Sequence, residues 1–137
     1  MDFMKLDTLG VLTPAVINPV FVQVIIALPK SRKVKILYRD GTEESYPTGK
    51  DTEIVTRRIC KKLHEFVDPT DLLSLELYQL GSGVVRRRYI ASIRTVLKNK
   101  KLVLRIWFEN GEMYLQIPGN TNAEKKHYVK HNFFEFL

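Results

Sequence analysis

Hydrophobic and polar positions change period several times along the chain. Residues 1–18 show no clean period and include Pro14, which predicts an N-terminal arm. Residues 20–28 are apolar and rich in β-branched side chains, a buried strand closed by Pro29. Residues 34–39 then alternate, with Val34, Ile36 and Tyr38 on one face. Asp40-Gly41 follows, a tight-turn pair suited to positive φ at both central positions, and residues 42–46 form the returning strand. Across residues 50–66 the period becomes helical. Val55, Ile59, Leu63 and Phe66 share one stripe, Asp51 is placed to cap the start, and Asp68-Pro69 stops the helix.

Alternation resumes at residues 73–78, where Leu73, Leu75 and Leu77 predict a half-buried strand. Gly81-Ser82-Gly83 reads as a loop. Val84-Val85 and Tyr89-Ile90 are short extended pieces on either side of Arg86, Arg87 and Arg88. Residues 102–108 and 113–117 form a second hairpin about Asn110-Gly111. After Pro118-Gly119-Asn120, Thr121-x-x-Glu124 has the form of a capping box, opening a terminal helix with Val129, Phe133 and Phe136 as its stripe. The strands are short and hairpin-linked, so the expected class is mainly β (α+β). It has antiparallel strands, one mid-chain helix and one C-terminal helix. At 137 residues there is room for one domain, over residues 19–137, behind the arm of residues 1–18.

Charge sharpens this picture. Twenty-two Lys and Arg stand against fifteen Asp and Glu, a net +7, and residues 77–108 contain no acidic side chain. A solvated face ordinarily mixes signs, so a one-sign run this long points to a polyanionic partner. The leading candidates are Arg86, Arg87 and Arg88 with Arg94, Lys98, Lys100 and Lys101. In an extended strand Arg86 and Arg88 share a face and Arg87 takes the other. Arg presents a planar fork that grips phosphate or a guanine edge, whereas Lys acts as a point charge. Arg32 and Lys33, with Lys35, form a second basic group between the first two strands. On the mid-chain helix, Arg57, Arg58, Lys61 and Lys62 are largely explained by i,i+4 pairs with Glu53 and Glu65.

Other chemistry finds less support. His127 and His131 have chelating spacing but no acid between them, and no metal site or cofactor is expected. The single cysteine, Cys60, flanks the helical stripe and reads as a small buried hydrophobe. There is no Gly-x-Ser-x-Gly elbow, no phosphate-binding glycine loop and no His-Glu-x-x-His, and Glu43-Glu44 point to opposite faces of a strand. An enzyme is therefore not expected. The apolar stretch 14–28 is shorter than the ~20 residues a bilayer requires, and the start lacks a cationic leader, so a soluble cytoplasmic protein is expected.

The middle of the chain resembles the LytTR DNA-binding domain of bacterial transcription regulators, over about residues 20–136. The similarity lies in an apolar strand, the hairpin Tyr38-Arg39-Asp40-Gly41 and a helix rich in Leu, Lys and Glu. A basic-aromatic stretch, Arg86-Arg87-Arg88-Tyr89-Ile90-Ala91-Ser92, follows in the place of a His-Arg-Ser-Tyr-Ile-Val-Asn motif. Then come the hairpin Glu109-Asn110-Gly111-Glu112 and a terminal helix. The family's motif His and Asn are Arg86 and Ser92 here. Its basic Ser-Arg-Arg entry to the last helix is replaced by Ile117-Pro118-Gly119-Asn120. The resemblance implies a mostly β module whose loops enter successive major grooves. Arg86, Arg87 and Arg88 would lie in the central reading loop, Arg32 and Lys33 in another, and Lys125 or Lys126 would stand in at the last helix. Regulators of this type usually carry a receiver domain ahead of the DNA module, and the twenty or so residues here are too few for one, so a stand-alone module is expected.

The resulting expectation is sequence-selective binding of double-stranded DNA in transcription regulation, with no membrane partner and a homodimer left open. The alternatives are a non-enzymatic assembly module whose basic surface meets an acidic protein, and an RNA-binding module that stacks single-stranded bases on exposed aromatics.

Overall fold

The computed structural model describes residues 2–137. Ten strands form three antiparallel sheets, with one helix mid-chain and one near the C-terminus, so the mainly β α+β class is the one observed. A two-stranded hairpin comes first, β1 (Met4–Lys5) with β2 (Val16–Ile17). The central sheet has five strands: β3 (Val22–Leu28), β4 (Lys33–Tyr38), β5 (Glu43–Pro47), β6 (Leu72–Ser74) and β7 (Gly83–Arg86). Their spatial order is β5-β4-β3-β7-β6. Helix α1 (Thr52–Leu63) lies between β5 and β6 in sequence. The third sheet has the order β10-β9-β8, from β8 (Ile90–Lys98), β9 (Lys101–Phe108) and β10 (Gly111–Gln116), and α2 (Asn122–Asn132) closes the fold.

The apolar run through β3 is explained by burial on both faces. On one side Val22 and Ile25 pack with Val34 and Ile36 of β4 and with Val55, Ile59 and Leu63 of α1. On the other, Val24 joins Leu73 and Val85 against Leu104, Ile106 and Phe108 of β9, and against Val129 and Phe133 at α2. The central sheet is thus the middle layer of three. Gln23 interrupts the run at a bulge between Val22 and Val24, and is only 1 % exposed. Its amide exchanges hydrogen bonds with Asn110 at the tip of the β9–β10 hairpin (3.1 and 3.3 Å), and Asn110 Nδ2 also donates to the Arg39 carbonyl (2.7 Å). One amide pair, buried at Gln23 and exposed at Asn110, therefore ties the two larger sheets together.

Several local expectations are corrected. Of the segment expected to be a loose arm, the described residues 2–18 are anchored: Met4, Leu6, Val11 and Ile17 are buried in the α1-side core. The strand expected over 73–78 ends at Ser74. The chain then turns, and Leu75 and Leu80 both enter the core. Asp51 makes no side-chain cap; Thr52 Oγ1 instead donates to the Gly49 carbonyl. At the Asp40-Gly41 turn only Gly41 has positive φ, 88°. Paired positive φ occurs instead at Asn99 (53°) and Lys100 (65°), which close the long β8–β9 hairpin. The expected cap forms with its return bond shifted by one residue: the Glu124 N–H donates to Thr121 Oγ1, and the Glu124 carboxylate accepts from the Asn120 N–H rather than from that of Thr121. Phe133 is fully buried, but Phe136 lies past the helix end and is exposed.

Gly83 stands where β7 meets β3, and a Cβ there would lie 2.2 Å from the Ile25 carbonyl oxygen. Gly83→Ala should therefore cost about 3 kcal/mol by forcing the two backbones apart, read as a lower urea midpoint.

Candidate functional site

The arginine triplet does not form a projecting ridge. Arg86 is the last residue of β7, Arg87–Tyr89 form a 3-10 turn, and β8 begins at Ile90. The Arg86 side chain is 3 % exposed. Its Nε donates to Asp71 Oδ2 (2.6 Å) and its Nη1 to the Val22 carbonyl (3.4 Å). Arg88 grips the same carboxylate twice, through Nε (2.8 Å) and through its backbone N–H to Oδ1 (3.0 Å). Arg86 is thereby corrected from a surface contact to a buried structural cation. A charge so desolvated is tolerable only because a carboxylate and a carbonyl answer it. Arg88 remains exposed but shares that carboxylate. Arg87 alone of the three makes no ion pair among the described residues, and it is half-buried.

The second basic group sits elsewhere. Arg32 caps the 3-10 turn Pro29–Ser31 in a left-handed conformation (φ 53°), and Lys33 pairs with Leu28 at that end of β3. Arg86 reaches Val22 at the opposite end. The two groups are therefore separated by the length of a seven-residue strand, roughly 20 Å, and do not merge. On α1 the cations are paired as a solvated face would be: Arg57 with Glu53 and Glu76, and Lys62 with Glu65.

The remaining candidates converge on the outer face of the three-stranded sheet. The inner face carries Ile93, Leu104, Ile106, Phe108, Met113 and Leu115, which pack in the core. Register and period-2 alternation put Ser92, Arg94 and Lys98 of β8, Lys101, Arg105 and Trp107 of β9, and Glu112 and Tyr114 of β10 on the other face. Arg94 stands directly opposite Arg105, and Lys98 opposite Lys101. Glu112 is the one carboxylate on this face among the described residues. It accepts from Arg105 Nε (2.6 Å) and from the Tyr114 hydroxyl (2.7 Å), and these two donors hold its carboxyl below the usual range. Lys98 Nζ lies 4.0 Å from the centre of the Tyr114 ring, and the Arg105 guanidinium 5.5 Å from that of Trp107. Lys100 occupies the tip of the β8–β9 turn, exposed beside Lys98 and Lys101.

The sequence pattern does not mark Arg105, and it favours core packing over base stacking for Trp107 and Tyr114, yet both rings are exposed on this face. The alternation Lys101, Val103, Arg105, Trp107 was the signal that joins them to Arg94 and Lys98. Elsewhere, burial pushes the Cys60 thiol up to about 12, so it is a packing group rather than a nucleophile. The His127 and His131 rings lie 4.3 Å apart in a tilted contact, and His131 Nδ1 meets Glu135 (2.9 Å). Among the described residues no helix is long and apolar enough to cross a membrane.

No family model, curated protein or solved structure matches the chain.

Burial alone would raise the Asp71 pKa, but hydrogen bonds from Arg86 and the Arg88 backbone, with both guanidinium charges, outweigh it and hold the carboxyl low. Its stabilising contribution is therefore complete above the ordinary carboxylate value of about 3.9 and is lost as pH falls through the lower folded value. Asp71→Asn should cost about 3–5 kcal/mol at neutral pH, because it strands the Arg86 charge. The variant should also lose the part of acid destabilisation that Asp71 supplies, as measured by urea unfolding across pH.

Proposed function

We propose that this chain is a double-stranded DNA-binding protein, a divergent LytTR-like module acting in the cytoplasm in transcription regulation, and that the outer face of its three-stranded sheet meets the phosphate backbone. The observation that carries the reading is the pairing of like charges across strands, Arg94 with Arg105 and Lys98 with Lys101, against the single carboxylate of Glu112. Like charges directly opposite on antiparallel strands are destabilising on their own. A row of phosphates relieves that repulsion, and release of the counterions condensed on DNA supplies the affinity. Arg32 and Lys33 at one end of the central sheet and Arg87 at the other are separated contacts, which suits loops reaching different grooves along a duplex rather than one merged footprint.

Duplex is favoured over single-stranded RNA by the state of the aromatics. The Tyr114 ring is faced by Lys98 and its hydroxyl is held by Glu112, and Trp107 has the Arg105 guanidinium beside it. These rings shelve cations and do not form a bare stacking platform. A protein partner with an acidic surface is the other reading, and it predicts no retention of any duplex at moderate salt.

The test is selection from a random duplex library at two salt concentrations, followed by anisotropy titrations. Affinity should fall steeply with salt, with a log–log slope of about −4 for four to five phosphate contacts, and Arg94→Ala with Lys101→Ala should flatten that slope by about two. Arg87→Ala should weaken the selected site by about 1–3 kcal/mol and relax one base position. A flat, motif-free outcome would assign the face to an acidic protein instead.

A further inference from the structure

The β8–β9 hairpin ends in a turn whose sequence and conformation disagree. Asn99 and Lys100 both have left-handed φ, 53° and 65°, and are flanked by the pair Lys98 and Lys101. That turn favours Asn at its first central position and Gly at its second, because a Cβ is disfavoured there. The second position is a lysine. Two hydrogen bonds from a distant residue hold it: the Asn122 side chain accepts from the Leu102 N–H (3.0 Å) and donates to the Lys100 carbonyl (3.0 Å). Asn122 is the first residue of α2, itself packed into the core through Val129. The turn is therefore anchored to the body of the protein from outside its own strands.

The tip also extends past the core. Leu97 lies on the inner-face register but is 68 % exposed, and Lys98, Asn99, Lys100 and Lys101 are all exposed. It offers three cations, one apolar side chain and a two-stranded ribbon, and the DNA major groove, about 12 Å wide, admits such a ribbon.

Resting on the duplex-binding reading, we infer that the β8–β9 tip enters a groove of the DNA with Lys100 as its leading cation, and that Asn122 is the positioning residue that fixes it there. A strained backbone kept at an exposed tip, where glycine would relax it, is the mark of a side chain retained for contact. Leu97 on the opposite face of the ribbon is placed to meet a thymine methyl.

The experiment measures stability and binding to a labelled mixed-sequence duplex for Lys100→Gly, Lys100→Asn, Asn122→Ala and Asn122→Asp. Lys100→Gly should keep or raise the melting temperature yet bind roughly three- to tenfold more weakly, with a salt slope smaller by about one. Lys100→Asn, which tolerates the same φ, should show the same loss of affinity and slope. Asn122→Ala should weaken binding with the slope retained, since the charge is still present. Asn122→Asp, which can still accept from Leu102 but sets a negative charge against the Lys100 carbonyl and beside the tip lysines, should bind more weakly than Asn122→Ala. Wild-type affinity in both Lys100 variants, while Arg94→Ala on the sheet face still loses binding, overturns the role of the tip and leaves the duplex reading in place. Wild-type affinity in Asn122→Ala overturns the positioning role. Failure of the unaltered protein to hold any duplex overturns the reading beneath both.

Discussion

The Asp71 carboxylate fixes the corner at which the chain leaves one sheet for the next. It receives Arg86 at the end of β7 and Arg88 in the following turn, and it binds the Arg88 backbone N–H as well. Two residues beyond, β8 begins against β9. The angle at which the three-stranded sheet meets the central one is thus set by a carboxylate 15 residues upstream of the first arginine. The arrangement is costly to break and modest to make, because two charges lose water to form it. Its use is directional: it commits the chain to one exit from β7. The Gln23–Asn110 amide pair then pins the same two sheets at the hairpin end. Among the described residues no buried side-chain polar atom lacks a partner, so these polar ties do not weaken the apolar layers around them.

This corner sorts the cations into two populations. The acid-free run of residues 77–108 contains eight Lys and Arg side chains. Arg86 and Arg88 borrow Asp71 from before the run, and Arg105 borrows Glu112 from after it. Arg87, Arg94, Lys98, Lys100 and Lys101 have no acid within ion-pair distance among the described residues. An excess of one sign within a stretch of chain therefore does not itself mark an interface. The informative subset is what remains after long-range partners have claimed their share, and in this fold four of those five lie on β8, the turn that follows it and the first residue of β9.

How much of this could be read along the chain depended on whether each signal was local. The α1 stripe, the β9–β10 hairpin and the Thr121 cap are decided by residues within a turn or two of one another, and all three form. The corner depends on Asp71, which carries no mark in sequence that distinguishes it from a solvated aspartate, so Arg86 read as exposed. The first 18 residues lack a period because their pieces are too short to show one, yet Met4, Leu6 and Val11 still find the core. The strand β8 was hidden by its composition: as an edge strand facing the core with one side only, it alternates Arg94, Val96 and Lys98 outward with Ile93, Thr95 and Leu97 inward. Only the register against β9 shows that those outward residues and Arg105 form one surface.

That edge position has a further consequence. β8 has a partner on one side only, and long open edges invite pairing with other chains. Arg94 and Lys98 on an edge strand oppose such pairing between copies, since two β8 edges brought together would confront arginine with arginine or lysine. The charges that discourage strand addition are the same ones that suit a phosphate backbone. In this fold, protection of the edge and the proposed attraction of a polyanion rest on the same charges, so neutralising Arg94 and Lys98 would weaken both together.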